Sequence, residues 1–176
     1  MDSSIEARAA RVEAIVFDVD GVLTRGDLPY GADGEIKVFD VHDGHGFVLA
    51  RQAGLKIALL SGRASPALRR RAEDLKVDAL REGALRKGEA LRELCGVLRV
   101  KLDEVCYVGD DLIDLPPLRE AGFPVAVANA VREVRECAVW VTTRSGGDGA
   151  AREVIELILK AKGRWDAIVK HYAEGG

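Results

Sequence analysis

Asp18 and Asp20 stand two residues apart directly after the apolar run Ala14-Ile15-Val16-Phe17. Ser61 follows the run Lys56-Ile57-Ala58-Leu59-Leu60, and Asp110, Asp111 and Asp114 follow Glu104-Val105-Cys106-Tyr107-Val108. Short runs of this length, apolar apart from a leading Lys56 or Glu104, read as strands buried on both faces. In an open α/β sheet, ligands bind beyond the carboxyl ends of such strands, so these residues are expected on one rim. Carboxylates gathered there repel one another and are stable together only around a cation. An oxygen-only donor set selects a hard ion, Mg²⁺ before Ca²⁺ or Mn²⁺, because zinc would call for His or Cys. Helix capping is the plain alternative for strand-end aspartates, and it accounts for one or two of them, not the set.

The elements that must position these groups alternate along the chain. Further strands are predicted at residues 125–128 and 139–141, with a short one at 78–80. Between them lie amphipathic stretches of helical length at residues 44–53, 66–75, 87–98, 112–121, 131–137, 150–162 and 165–172. Ser65 is placed to cap the second of these, with Pro66 in its first turn. This alternation predicts an α/β fold, a parallel sheet covered by helices on both faces. The pattern is interrupted only at residues 24–40, where Glu35-Ile36-Lys37-Val38-Phe39 alternates like a strand behind the turn signal Ala32-Asp33-Gly34. A β-hairpin projecting from the first strand–helix connection is expected there, too small to be a second domain.

The 176 residues fit one domain, and a net charge of -3 provides no basic field for nucleic acid. The same sign mildly opposes anionic substrates, so a phosphate site must rely on local cations. No apolar run reaches a membrane span, and residues 1–11 lack the apolar core of a signal peptide, so a cytoplasmic protein is expected. Cys95, Cys106 and Cys137 show no CxxC spacing, and Cys106 reads as a buried reduced thiol. His42 and His45 flank Asp43 and read as polar loop residues rather than a metal pair, and Arg69-Arg70-Arg71 reads mainly as a solvated helix face.

Phe17-Asp18-Val19-Asp20-Gly21-Val22-Leu23-Thr24, Leu60-Ser61-Gly62-Arg63, Lys87 and Val108-Gly109-Asp110-Asp111-Leu112-Ile113-Asp114 occur in that order at strand ends. Together they resemble the four motifs of the haloacid dehalogenase (HAD) superfamily of phosphohydrolases. The resemblance implies a Rossmann-like HAD fold with the small hairpin in place of a cap domain. It implies Asp18 as nucleophile, forming an aspartyl-phosphate, and Asp20 as the acid that protonates the leaving alcohol and then activates water. Mg²⁺ would be held by Asp18, the Asp20 main-chain carbonyl and Asp110, with Asp111 or Asp114 acting through water. Ser61 and Lys87 would donate to the non-bridging oxygens, although a surface lysine opening a helix is the plain reading of Lys87.

Over residues 12–165 the chain resembles the small uncapped branch typified by 3-deoxy-D-manno-octulosonate 8-phosphate (KDO 8-phosphate) phosphatases. The matching pieces add Lys37-Val38-Phe39, Asp43-Gly44 with Gly46, and Gly146-Gly147 with Gly149-Ala150 and Arg152-Glu153. That likeness implies a phosphorylated sugar acid as substrate and a homotetramer whose hairpins build the interface. It implies a substrate-binding set of Asp20, Asp40, His42, Asp43, Gly44, Gly62, Arg63, Arg71 and Lys87. Departures fall where substrate is read. Asp40 and His42 stand where Asn and Arg are usual, and Val48 and Asp148 replace two arginines. Losing cations there weakens the case for one particular sugar acid, leaving a nonulosonate 9-phosphate or a range of sugar phosphates as alternatives. A response-regulator receiver also gathers acids, a hydroxyl and a lysine around Mg²⁺, but an acid/base at Asp20 would shorten the life of its phosphoryl group. Intact Asp18, Asp20, Lys87 and Asp110 argue against a decayed oligomerisation module.

Overall fold

The computed structural model describes residues 3–32 and 34–175. Its elements run α1 (Ser3–Ala10), β1 (Ala14–Phe17), β2 (Tyr30–Gly31), β3 (Gly34–Glu35), α2 (Val41–Gln52), β4 (Lys56–Leu60) and α3 (Pro66–Leu75). They continue with β5 (Ala79–Arg81), α4 (Lys87–Leu98), β6 (Val105–Gly109), α5 (Leu115–Glu120), β7 (Phe123–Ala126), α6 (Arg132–Cys137), β8 (Trp140–Val141), α7 (Ala150–Ala161) and α8 (Trp165–Ala173). Six strands form one parallel sheet in the order β5-β4-β1-β6-β7-β8. β1 lies at its centre, with Phe17 level with Leu59 on one side and Val108 on the other. The loops leaving β1, β4 and β6 are therefore neighbours, which puts Asp18, Ser61 and Asp110 on a common edge.

β1, β6 and β7 are buried along their whole length, which is why they are continuous apolar runs rather than alternating ones. Phe17 stacks on Phe47 of α2 with ring centroids 5.2 Å apart, seating that helix over β1. The face of α7 carrying Val154, Ile155 and Ile158 is wholly buried. Among the described residues no helix is long and apolar enough to cross a membrane.

Several boundaries differ from expectation, each for a local reason. α1 was not anticipated in the polar leader. α2 starts at Val41 rather than Gly44, because the Asp40 carboxylate accepts from His42 N (2.6 Å) and Asp43 N (3.0 Å) and caps an earlier turn. Residues 112–121 do not form one helix. Pro116 and Pro117 have no N–H to return to the preceding turn, so a 3₁₀ turn (Leu112–Asp114) is followed separately by α5. Ser65 occupies the N-cap position of α3, but its side chain makes no capping bond, and Pro66 sets the first turn. The hairpin is much shorter than expected. Tyr30 pairs with Glu35 and Gly31 with Gly34, Ile36 N reaches Pro29 O at 2.9 Å, and the ladder ends there. Residues 36–39 form no strand, and Asp33 of the expected turn lies outside the described residues.

Candidate active site

The site begins where β1 ends. Asp18 N donates to Val108 O at 2.9 Å, carrying the β1–β6 ladder one residue past the strand. Val19 O then accepts from Leu23 N (2.9 Å) and Thr24 N (3.1 Å), folding the chain into a tight loop beneath Asp18. Gly21 has φ +92°, and a Cβ on it would overlap the Asp110 carboxylate. Gly21 O is bound by Asn129 Nδ2 at 3.1 Å, and Asn129 Oδ1 accepts from Gly146 N at 2.6 Å. A Cβ on Gly146 would collide with Gly21 O, so only glycine lets the late loop pack against the loop after β1.

Lys87 opens α4, and its side chain is 2 % exposed. A helical side chain leans back toward the N-terminus, and here that direction leads into the carboxylates. Its Nζ lies 2.7 Å from Asp18 Oδ1 and 2.7 Å from Asp114 Oδ1. The surface-lysine reading of Lys87 is thereby excluded. Asp114 is fully buried and accepts from Lys87, from Tyr107 Oη (2.6 Å), and from the amides of Asp110 (3.0 Å) and Asp111 (3.3 Å). It fixes both the lysine and the loop bearing Asp110. Asp111 instead turns outward and caps Leu112 N at 2.7 Å.

Carboxylate oxygens of Asp18, Asp110 and Asp114 lie within 4.8 Å of one another. Asp110 Oδ1 is buried without a hydrogen-bond partner among the described residues. Both Asp114 oxygens already serve N–H and O–H donors, so Asp18 and Asp110 are the oxygens left for a cation. Burial, then the charge of Asp114, pushes Asp18 up to about 6 against the pull of Lys87. Burial, then the charges of Asp18 and Asp114, pushes Asp110 up to about 8. An orphaned buried oxygen and two acids driven toward neutrality by burial and by neighbouring carboxylates fit a cation site.

Those shifts set a pH dependence. Both pKa values exceed the unfolded value of 3.8, so the folded metal-free protein binds more protons and loses stability as pH rises between about 4 and 8. A divalent cation replaces the protons. Thermal melting is therefore expected to show metal-free protein weakening from pH 5 to pH 8, with the gain on adding cation growing over the same interval. A cation effect that shrinks with pH would contradict the assignment.

The Asp20 carboxylate lies outside this cluster and pairs with Lys37, whose side chain is 2 % exposed and also lies 2.9 Å from Glu35. Ser61 is buried, and its Oγ accepts from Arg63 N at 3.1 Å, shaping the turn through Gly62. Arg63 pairs with Glu35 at 2.5 Å. The residues of α2 and α3 serve one another instead. Asp40 caps α2, His42 is exposed beside it, and Arg71 reaches Asp40 O at 3.4 Å and lies 5.2 Å over the Phe39 ring. Gly44 makes room for the Arg71 guanidinium. Asp43 is buried and accepts from Arg152 N at 2.7 Å, fastening α2 to the start of α7, and burial raises it to about 6. Sequence reasoning passed over Tyr107, Asn129 and Lys37. Asn129 was findable, being a polar residue just past a predicted strand, whereas Tyr107 was hidden within an apolar run.

A family model described as haloacid dehalogenase-like hydrolase matches residues 80–154. The 3-deoxy-D-manno-octulosonate 8-phosphate phosphatase of Haemophilus influenzae is 40 % identical over 161 residues, covering 91 % of this chain and 89 % of that protein. The chain belongs to this phosphatase family. Its Escherichia coli K12 member is 36 % identical over 167 residues, covering 94 % of this chain and 89 % of that one. The phosphatase of Moraxella catarrhalis, crystallised with a magnesium ion, a phosphate ion and KDO, superposes with a TM-score of 0.94 at 38 % identity. That superposition covers 98 % of this chain and 99 % of that one. The family's fold, a Rossmann-like HAD sheet with helices on both faces and a small hairpin, is the one described above.

Proposed function

We propose that this chain is a Mg²⁺-dependent phosphomonoester hydrolase that converts KDO 8-phosphate to KDO and phosphate through an aspartyl-phosphate on Asp18. The observation that carries the reading is the Asp18 carboxylate, buried, braced by Lys87 at 2.7 Å and grouped with Asp110. The Moraxella catarrhalis relative, nearly coextensive with this chain, holds the ion, product and phosphate this chemistry requires.

Asp18 attacks phosphorus, the P–O bond to the sugar breaks, and Asp20 gives its proton to the departing alkoxide. Asp20 then takes a proton from water, the hydroxide displaces Asp18 from phosphorus, and phosphate leaves with the carboxylate restored. Lys87 and Ser61 donate to the non-bridging oxygens, the lysine offsetting charge in a water-poor pocket. Asp18, Asp110 and the Asp20 main-chain carbonyl would hold Mg²⁺, which supplies charge neutralisation between carboxylate and phosphate. Asp114 orients Lys87 and the Asp110 loop.

A cavity of about 570 Å³ between the β1 loop and the hairpin, lined by Thr24, Arg25, Phe39, Asp40 and Gly147, suits the sugar acid. Arg25, which lines this cavity and among the described residues pairs with Asp148 at 3.7 Å, is a cation available to its carboxylate. Asp20, Asp40, His42, Gly62, Arg63 and Lys87 remain the proposed substrate side, with Asp43, Gly44 and Arg71 shaping the wall behind Asp40. The hairpin exposes Tyr30 (70 %), Ile36 (50 %) and Val38 (72 %), an apolar surface suited to a homotetramer. Work in the cytoplasm accords with this chemistry.

Phosphate release measured across KDO 8-phosphate, a nonulosonate 9-phosphate and common hexose phosphates tests the reading. EDTA is expected to abolish release and excess Mg²⁺ to restore it, with KDO 8-phosphate turned over at least about tenfold better than the others. Equal rates across the panel would defeat the substrate assignment, and full activity in EDTA would defeat the metal.

A further inference from the structure

We infer that Lys37, carried by the hairpin, is a positioning residue for the acid/base Asp20, so that the hairpin is part of the catalytic apparatus and not only a surface for assembly. The inference rests on the reading of Asp20 given above and extends it. Three observations carry it. Lys37 Nζ is ion-paired with Asp20 Oδ1, and its side chain is withdrawn from solvent almost completely. A buried lysine is costly unless its partners are fixed, and here Glu35 holds it from the other side at 2.9 Å while Arg63 holds Glu35 at 2.5 Å. Asp20 Oδ2, the other oxygen of the same carboxylate, is buried with no hydrogen-bond partner among the described residues.

The chain Arg63–Glu35–Lys37–Asp20 thus runs from the loop after β4, through the hairpin, to the loop after β1. It engages one oxygen of Asp20 and leaves the second to exchange a proton with the leaving oxygen or with water. Without Lys37 the carboxylate can rotate, and the oxygen meant for the proton no longer stays in reach. Lys87 serves Asp18 in the same manner, so each of the two reacting carboxylates has a buried lysine of its own.

Leaving-group dependence separates this role from a general structural one. The step that expels the leaving group falls within kcat/KM. An alkyl ester needs a proton there, and a nitrophenolate does not. For Lys37→Gln, kcat/KM on KDO 8-phosphate is expected to fall about 100-fold while that on p-nitrophenyl phosphate falls less than about threefold. Because Asp20 also activates water, the aryl ester should now give a rapid burst of p-nitrophenol before slow turnover. Glu35→Gln, which leaves Lys37 in place but removes one of its anchors, should shift the ratio of the two rates in the same direction, about tenfold. Parallel loss on both esters, or no loss on either, overturns the inference. Should Lys37→Gln fail to fold, an unchanged ester ratio in Glu35→Gln overturns it alone. Asp18→Asn run alongside must abolish both reactions, and activity there would fail the underlying reading whatever Lys37 does.

Discussion

Asp18→Asn is expected to yield a folded protein whose phosphate release is lower by about four orders of magnitude or more. The amide has the shape of the carboxylate but not the nucleophile. Its effect on the fold should be small, because two contributions oppose each other. Lys87 loses one of its two anions, yet keeps Asp114 at 2.7 Å. The neutral side chain also escapes the burial cost that, with the charge of Asp114, raises the Asp18 pKa, and it removes the Asp18 charge that raises Asp110. Circular dichroism melting should therefore place the variant within a few degrees of the parent. Phosphate release at the parental rate would remove Asp18 from the mechanism.

Asp114→Ala should instead damage fold and activity together. Asp114 is fully buried and accepts from Lys87, Tyr107 and the amides of Asp110 and Asp111. Truncation leaves the Tyr107 hydroxyl buried without its acceptor and gives Lys87 a single partner. Breaking a buried ion pair by removing one member costs about 3–5 kcal/mol. For a domain of this size that lowers Tm by roughly 10 °C. The Asp110 loop loses its two amide anchors as well, and turnover should fall about 100-fold. Asp111→Ala is the control, since that side chain merely caps Leu112 N and should cost about 1 kcal/mol. Equal losses from the two variants would show that burial at position 114 does not matter.

Much of this arrangement was legible in the residues. Strands buried on both faces must be apolar throughout, so β1, β4 and β6 announced themselves, and the rule that ligands gather beyond strand ends brought Asp18, Ser61 and Asp110 to one edge. The choice between Asp111 and Asp114 was not legible, because it turns on how a 3₁₀ turn aims two side chains three residues apart. The alternation of Glu35 to Phe39 suggested a strand, yet Ile36 and Val38 are exposed and only Glu35 pairs. That same segment hid Lys37. Its place beside Asp20 follows from the hairpin folding back over the β1 loop, a tertiary event without a local signature.

The two-rung hairpin has one more consequence. In the proposed mechanism phosphorus is captured by groups rooted in the central strand, where the sheet hydrogen bonding runs through the Asp18 amide. Proton delivery, on the inference above, depends on a lysine borne by a segment outside that sheet, beside a hairpin of two paired rungs. The two halves of the reaction therefore sit on foundations of unequal stiffness, and mutation reaches them unequally. Drift in the hairpin can retune which alcohols are expelled while hardly disturbing the apparatus that grips phosphate, so a lineage built on this scaffold is free to change its diet without rebuilding its teeth.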